Sequence, residues 1–261
     1  MVAAPSLADA PDLFAALAAQ GPKRAMVVMA HPDDNEFLCG GTVATLARQG
    51  WEVDIVVATS GNKGTKDPEV TPQYLAGVRE EEQRRAAAIL GARAPVFFGF
   101  PDGALVNDDE LRGLVVRQLR IRRPELAITW DGFRPGFNHR DHRRVGRATY
   151  DAIYPAADDH LYYPCHKEEG LEPHRPAVLL LAGTDVPDYH VDIEPVLRRK
   201  VRAVLAHTSQ MGGRSEADLM RFWRERAREQ RRTAAVAGAE VPAEDRDPLF
   251  RESFRRVVLR R

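Results

Sequence analysis

The chain has 261 residues, 44% hydrophobic and 29% charged, with 38 basic side chains balanced by 38 acidic ones. With zero net charge, no global field pulls the protein onto nucleic acid or an anionic membrane. No apolar run approaches the roughly 20 residues a membrane-spanning helix needs, and the length suits one large α/β domain.

In chain order, Asp12–Ala19 reads as a short amphipathic helix stopped by Gly21-Pro22. Ala25–Ala30 is a continuous apolar run, the pattern of a strand buried on both faces of a parallel sheet. Phe37–Gln49 has helical period with Gly50 as its stop, Val53–Ala58 is a second strand, and Thr59–Pro72 is a long polar loop of the kind that often carries function. Helix Ala76–Leu90, strand Val96–Phe98, helix Asp109–Arg122 and strand Leu126–Trp130 follow. This alternation predicts an α/β fold: a Rossmann-like, mostly parallel sheet with right-handed crossovers and helices on both faces. His142–Ile153 is helical and Tyr154–His174 irregular. Ala177–Ala182 and Tyr189–Ile193 read as later strands, Glu194–Ala206 as a helix, Ser215–Arg232 as a charged surface helix, and Ser253–Leu259 as a final edge strand. The expected organisation is a single domain over 1–261, with a core of about 24–210 and a C-terminal helix-and-strand extension over 211–261 packed on it.

Five of the 38 basic residues are lysine, and this arginine bias reads as base composition rather than phosphate recognition. Cys39 and Cys165 lie far apart and form no CxxC pair, which points to a reducing compartment and to a metal, if bound, without thiolate ligands. Met1–Ser6 lacks a basic segment leading into an apolar one. A cytoplasmic location is expected.

Two polar clusters stand out. His31-Pro32-Asp33-Asp34-Asn35-Glu36 follows the first strand, and Asn138-His139-Arg140-Asp141-His142 follows the fourth. In a doubly wound sheet the ligand crevice lies beyond the carboxyl ends of the strands, so both clusters belong at its mouth. Together they offer the three nitrogen or oxygen ligands, with one open position, of a catalytic zinc. The plainer alternatives are helix capping by Asp33 or Asp34, and a capping or surface role for His139 and His142. Asp141 has the chemistry to orient either imidazole, and the residues alone leave open which histidine binds metal.

These segments resemble the LmbE-like zinc deacetylases, also called the phosphatidylinositol-glycan class L family, which hydrolyse N-acetyl groups of glucosamine-type sugars. The resemblance is carried by Ala30–Glu36, Gly40-Gly41-Thr42, Thr59-Ser60-Gly61, Arg79 and Glu82, Pro101-Asp102-Gly103, His139–His142, Lys200 and Ala206–Gln210, about two-thirds of the chain. With Asn35 between the aspartate pair and Glu36, the first motif is most like the diacetylchitobiose and bacillithiol-pathway branch. The resemblance implies one Zn2+ (or another divalent ion) held by His31, Asp34 and His142, and Asp33 as general base. It implies His139 as a protonated electrophilic partner held by Asp141, and Arg79 and Asp102 as contacts to substrate hydroxyls. The alternative for Arg79 is an ion pair with Glu82, and for Asp102 a Pro-Asp-Gly turn. Glu36 is expected to support the metal loop, and His207 either lines the site or caps helix carbonyls.

The resemblance implies a small amino-sugar substrate and a homo-oligomer, trimeric or hexameric. Tyr150–Tyr163 and the loop Asn62–Pro72 are expected to shape substrate choice by stacking and closure. Rival readings are an amidase for a non-sugar or thiol-conjugate substrate, and a Rossmann-like binding or regulatory protein without catalysis. A dinucleotide-binding turn is disfavoured because two aspartates replace its glycines and repel pyrophosphate.

Overall fold

The computed structural model describes residues 6–236 and 250–259. Five parallel strands, β1 (Arg24–Met29), β2 (Glu52–Thr59), β3 (Val96–Phe100), β4 (Leu126–Trp130) and β5 (Val178–Ala182), match the apolar runs. They are joined by β6 (Tyr189–Asp192) and β7 (Arg251–Val258) into one seven-stranded sheet of order β3-β2-β1-β4-β5-β7-β6. Side chains of β1, β4 and β5 are almost wholly buried, which explains their largely apolar character. The strand read from sequence as the final edge is interior. β7 runs antiparallel to both β5 and β6, leaving β6 at the edge. Local pattern could not show this, because a sheet's order is set by long-range pairing.

The helices are α1 (Leu13–Ala18), α2 (Asp34–Leu38), α3 (Gly40–Arg48), α4 (Pro72–Leu90), α5 (Asp109–Arg122), α6 (Arg140–Asp151), α7 (Cys165–Glu168), α8 (Leu197–Leu205), α9 (Thr208–Met211) and α10 (Glu216–Val236). α3, α4 and α8 pack together, and α5 packs with α6, as crossovers leaving β1 in opposite directions require. The single helix expected over Phe37–Gln49 is two. The chain breaks at Cys39, and the Glu252 carboxylate of β7 accepts the Gly41 and Thr42 amides at 2.8 and 2.7 Å, so α3 starts afresh on a distant side chain. The segment expected as one helix over Glu194–Ala206 opens instead with a 3-10 turn, Glu194–Val196. α10 is charged as expected, but it buries Leu219, Trp223 and Ala227. Among the described residues no helix is long and apolar enough to cross a membrane.

In this order the sheet reverses direction between β1 and β4, the switch point where ligands bind in doubly wound folds. The two polar clusters leave the sheet at those two strands.

Candidate metal centre and catalytic site

β1 ends at Met29, and the chain turns through Ala30-His31-Pro32-Asp33 into α2. β4 ends at Trp130, and a loop returns to His139, which precedes α6. His31 Nδ1 lies 3.1 Å from His142 Nε2, so the two distant clusters meet. Asp34 places Oδ1 3.2 Å from His142 Nε2 and Oδ2 3.6 Å from His31 Nδ1.

The two oxygens of Asp34 have different duties. Oδ2 accepts the backbone amides of Ala30 (3.2 Å) and His31 (3.0 Å) and the indole N–H of Trp130 (3.0 Å). Oδ1 faces His142. A divalent metal fits this donor set. The 3.1 and 3.2 Å separations approach the edge of a zinc tetrahedron, roughly 3.3 Å at ordinary zinc–ligand distances. His31 Nε2 is held by Asp102 Oδ1 at 3.1 Å and Asp141 Oδ2 at 3.2 Å, the carboxylate support common for a metal-bound imidazole. The ring of His142 stacks on Trp130, centroids 4.0 Å apart. Among the described residues, two groups bring their donor atoms mutually within 4.8 Å, His31–His139–His142 and His31–Asp102–Asp141.

These charges fix each other. Burial opposes a charged His31 most strongly, yet Asp102, Asp141 and Asp34 together raise its pKa from 6.5 to about 11. Burial likewise opposes ionisation of Asp34, but His142 and His31 hold it well below the usual carboxylate range. Asp102 is lowered chiefly by its hydrogen bond to His31. Asp33 is pushed up to about 6, first by burial, with the Arg79 guanidinium acting against it.

Asp33 is one of three non-glycine residues with positive φ among the described residues, at +94°. Such a conformation costs on the order of 1–3 kcal/mol and persists only where its surroundings over-determine it. Here Arg79 Nη2 donates to Asp33 Oδ2 (3.1 Å) and to Pro32 O (2.6 Å), while Arg79 Nη1 donates to Gly61 O (2.9 Å). The left-handed turn sends the adjacent carboxylates apart: Asp34 to the histidines, Asp33 to the arginine.

Several expectations need correction. Asp141 is completely buried and holds His31, not His139; the Gly103 and Leu105 amides donate to it, which anchors the 101–105 loop. His139 precedes α6, exposed, its ring 4.1 Å from His142 and 4.7 Å from His31. Its pKa is lowered by burial of part of the ring and by the two neighbouring imidazoles, which outweigh Asp141, so it is not held protonated. Arg79 is buried and makes no ion pair with Glu82. Glu82 instead accepts Thr208 Oγ1, Ser209 N and Ser209 Oγ, each at 2.7 Å. His207 neither lines the site nor caps carbonyls; its Nε2 lies 3.2 Å from Glu36 Oε2, with both side chains fully buried. Tyr150 and Tyr154 line a cavity with Leu179 and Val257–Leu259, beside the amino-terminal half of β5 and away from the strand ends that carry the site. Tyr163 accepts from Arg112 Nε and donates to Asp109 O, both at 3.1 Å.

Trp130 and Gln83 are site residues that the sequence did not single out. A tryptophan at the carboxyl end of a buried strand was a usable signal, because that end faces the crevice. Gln83 carried none, since it sits in a charged helical run.

A family model described as PIG-L, GlcNAc-PI de-N-acetylase, matches residues 26–153. A diacetylchitobiose deacetylase of Thermococcus kodakarensis is 34% identical over 188 residues, spanning 72% of this chain and 70% of the relative. A 1D-myo-inositol 2-acetamido-2-deoxy-alpha-D-glucopyranoside deacetylase of Actinosynnema mirum is 28% identical over 235 residues, spanning 73% and 81%. Among solved structures, the N,N'-diacetylchitobiose deacetylase of Pyrococcus horikoshii superposes with a TM-score of 0.77 at 26% identity, covering 92% of this chain and 85% of that one.

Proposed function

The chain belongs to the PIG-L, GlcNAc-PI de-N-acetylase family, and from that premise we propose that it hydrolyses the acetamido group of an N-acetylglucosamine-type sugar or conjugate, releasing acetate and the free amine. The observation that carries this reading is the meeting of His31, Asp34 and His142 beside a separately held Asp33.

We assign His31 Nδ1, Asp34 Oδ1 and His142 Nε2 as ligands of a zinc ion, a donor set that other divalent ions also accept. Bound there, the ion supplies a Lewis acid for the acetyl carbonyl and a water acidified toward neutrality. Asp33, its pKa near 6, accepts the proton of the attacking water as the oxygen bonds to the carbonyl carbon. It returns that proton to the amide nitrogen as the carbon–nitrogen bond breaks. His139 offers a ring N–H to the carbonyl oxygen as negative charge develops, a donor whose removal typically costs about 10²–10³ in rate. Arg79 acts by holding Asp33, and Asp102 and Asp141 by holding His31; their existing partners account for these assignments better than direct contact with sugar hydroxyls.

The test is acetate release from a panel of N-acetylglucosamine, its short oligomers and its glycosides, with and without chelator. Chelator-sensitive release supports the proposal. Fully metallated protein that leaves every acetamido sugar intact overturns it.

A further inference from the structure

Arg79 and Gln83 stand one helical turn apart on α4, so one helix face reaches Asp33 twice. Arg79 takes its carboxylate; Gln83 takes its backbone, Oε1 accepting the Asp33 N–H at 3.0 Å. Gln83 is fully buried, and its other terminus donates from Nε2 to Glu36 Oε1 at 2.9 Å. A carboxylate oxygen needs a donor, so Glu36 sets which way the amide points and thereby presents the oxygen to Asp33. Glu36 is itself completely buried, with Asn35 Nδ2 3.0 Å from Oε1 and His207 Nε2 3.2 Å from Oε2. Asn35, His207, Glu36 and Gln83 thus form a buried chain of hydrogen-bonded side chains that ends on the backbone amide of a left-handed residue.

We propose that Gln83 is a positioning residue for Asp33, its amide polarity imposed by Glu36 and its purpose the retention of the φ +94° turn that separates Asp33 from the ligand Asp34. The proposal rests on Asp33 being the proton acceptor. Without the Gln83 acceptor, the turn relaxes and the Asp33 carboxylate leaves its place, while the ligands keep theirs through Trp130 and the Ala30 and His31 amides.

The experiment uses the metal-loaded full chain and the best acetamido substrate of the panel. Gln83→Leu is expected to lower kcat about 10–100-fold with KM within about threefold, since small misplacements of a reacting group carry penalties of that order. The metal-to-protein ratio stays at the wild-type value, and crystals of the metal-free variant show Asp33 out of the positive-φ region. Gln83→Glu alone is impaired because it sets two buried carboxylates face to face. The exchange Glu36→Gln with Gln83→Glu restores kcat to within a few-fold, because the introduced amide donates and the introduced carboxylate still accepts the Asp33 N–H. Side-chain packing alone would not produce that rescue. Wild-type kcat in Gln83→Leu, an unchanged Asp33 φ, or a double exchange no better than the single variants each overturns the proposal. Asp33→Asn, assayed beside them, separates the two levels: full turnover there removes the proton-acceptor role itself, whereas an inactive Asp33→Asn with a fully active Gln83→Leu removes only the positioning role.

Discussion

Arg79 and Asp33 form a buried ion pair at 3.1 Å, and the same guanidinium nitrogen also holds the carbonyl of Pro32. The arginine therefore sets both the charge and the backbone of the turn that carries the proposed base. With side-chain exposures of 5% and 20%, the pair is screened little by solvent.

Arg79→Ala is expected to lower kcat by about 10²-fold, with a smaller rise in KM, because the proposed base is displaced. It also removes the donor for three protein oxygens, and breaking a buried pair costs on the order of 3–5 kcal/mol. Steady-state kinetics and urea denaturation check both effects. A rise in KM alone would return Arg79 to the substrate contacts that the sequence resemblance implied.

Metal uptake should release protons. In the metal-free chain His31 carries a proton with a pKa of about 11, and an imidazole must be neutral to donate to a cation. Calorimetry of Zn2+ binding at pH 7 in two buffers of different ionisation enthalpy should show about one proton released, and the affinity should fall about tenfold per unit of acidification. Equal heats in the two buffers would contradict this.

His166 should make the fold acid-sensitive. Its pKa lies below the ordinary 6.5, first because of burial and then because Arg120 and Arg117 face it. Arg120 Nη1 lies 3.1 Å from His166 Nδ1, so the nitrogen acts as acceptor in the neutral ring. The unfolded chain thus binds the proton more readily than the folded one, and stability rises with pH wherever that holds. The contribution is present above the unfolded pKa near 6.5 and is lost as pH falls below it toward the lower folded value. His166→Gln should reduce the drop in denaturation midpoint between pH 8 and pH 5.5. An equal drop in both proteins would assign the acid sensitivity elsewhere.

Glu252 ties the far end of the chain to the helices behind the site. It pairs with Lys200 Nζ at 2.5 Å, side-chain exposures 3% and 2%, and receives three hydrogen bonds from Gly41 and Thr42. Glu252→Ala leaves an ammonium buried and is expected to cost about 3–5 kcal/mol, with a parallel fall in thermal midpoint. A loss under 1 kcal/mol would mean that water enters to replace the carboxylate.

Much of this protein's architecture is written in its sequence. The apolar runs marked β1, β2, β4 and β5 within a residue or two, because a strand buried on both faces is dominated by apolar side chains. The clusters at 31–36 and 138–142 announced a site because so many ionisable groups at strand ends have no packing explanation. Their convergence then followed from the crevice rule for parallel sheets.

What each residue does once there came only from tertiary structure. Asp141 adjoins His142 in sequence but bonds to His31, since a helix sends successive side chains in different directions and the partner is chosen by the opposing loop. Asp33 and Asp34 are neighbours of identical chemistry, yet a left-handed turn held from α4 gives one to the histidines and the other to Arg79. β7 inserts between β5 and the edge strand β6 although nothing local distinguishes it from an edge strand. Composition and period record what a residue can bury; partners some 50 to 200 positions away, as for Asp33 with Gln83 and Gly41 with Glu252, decide what it touches.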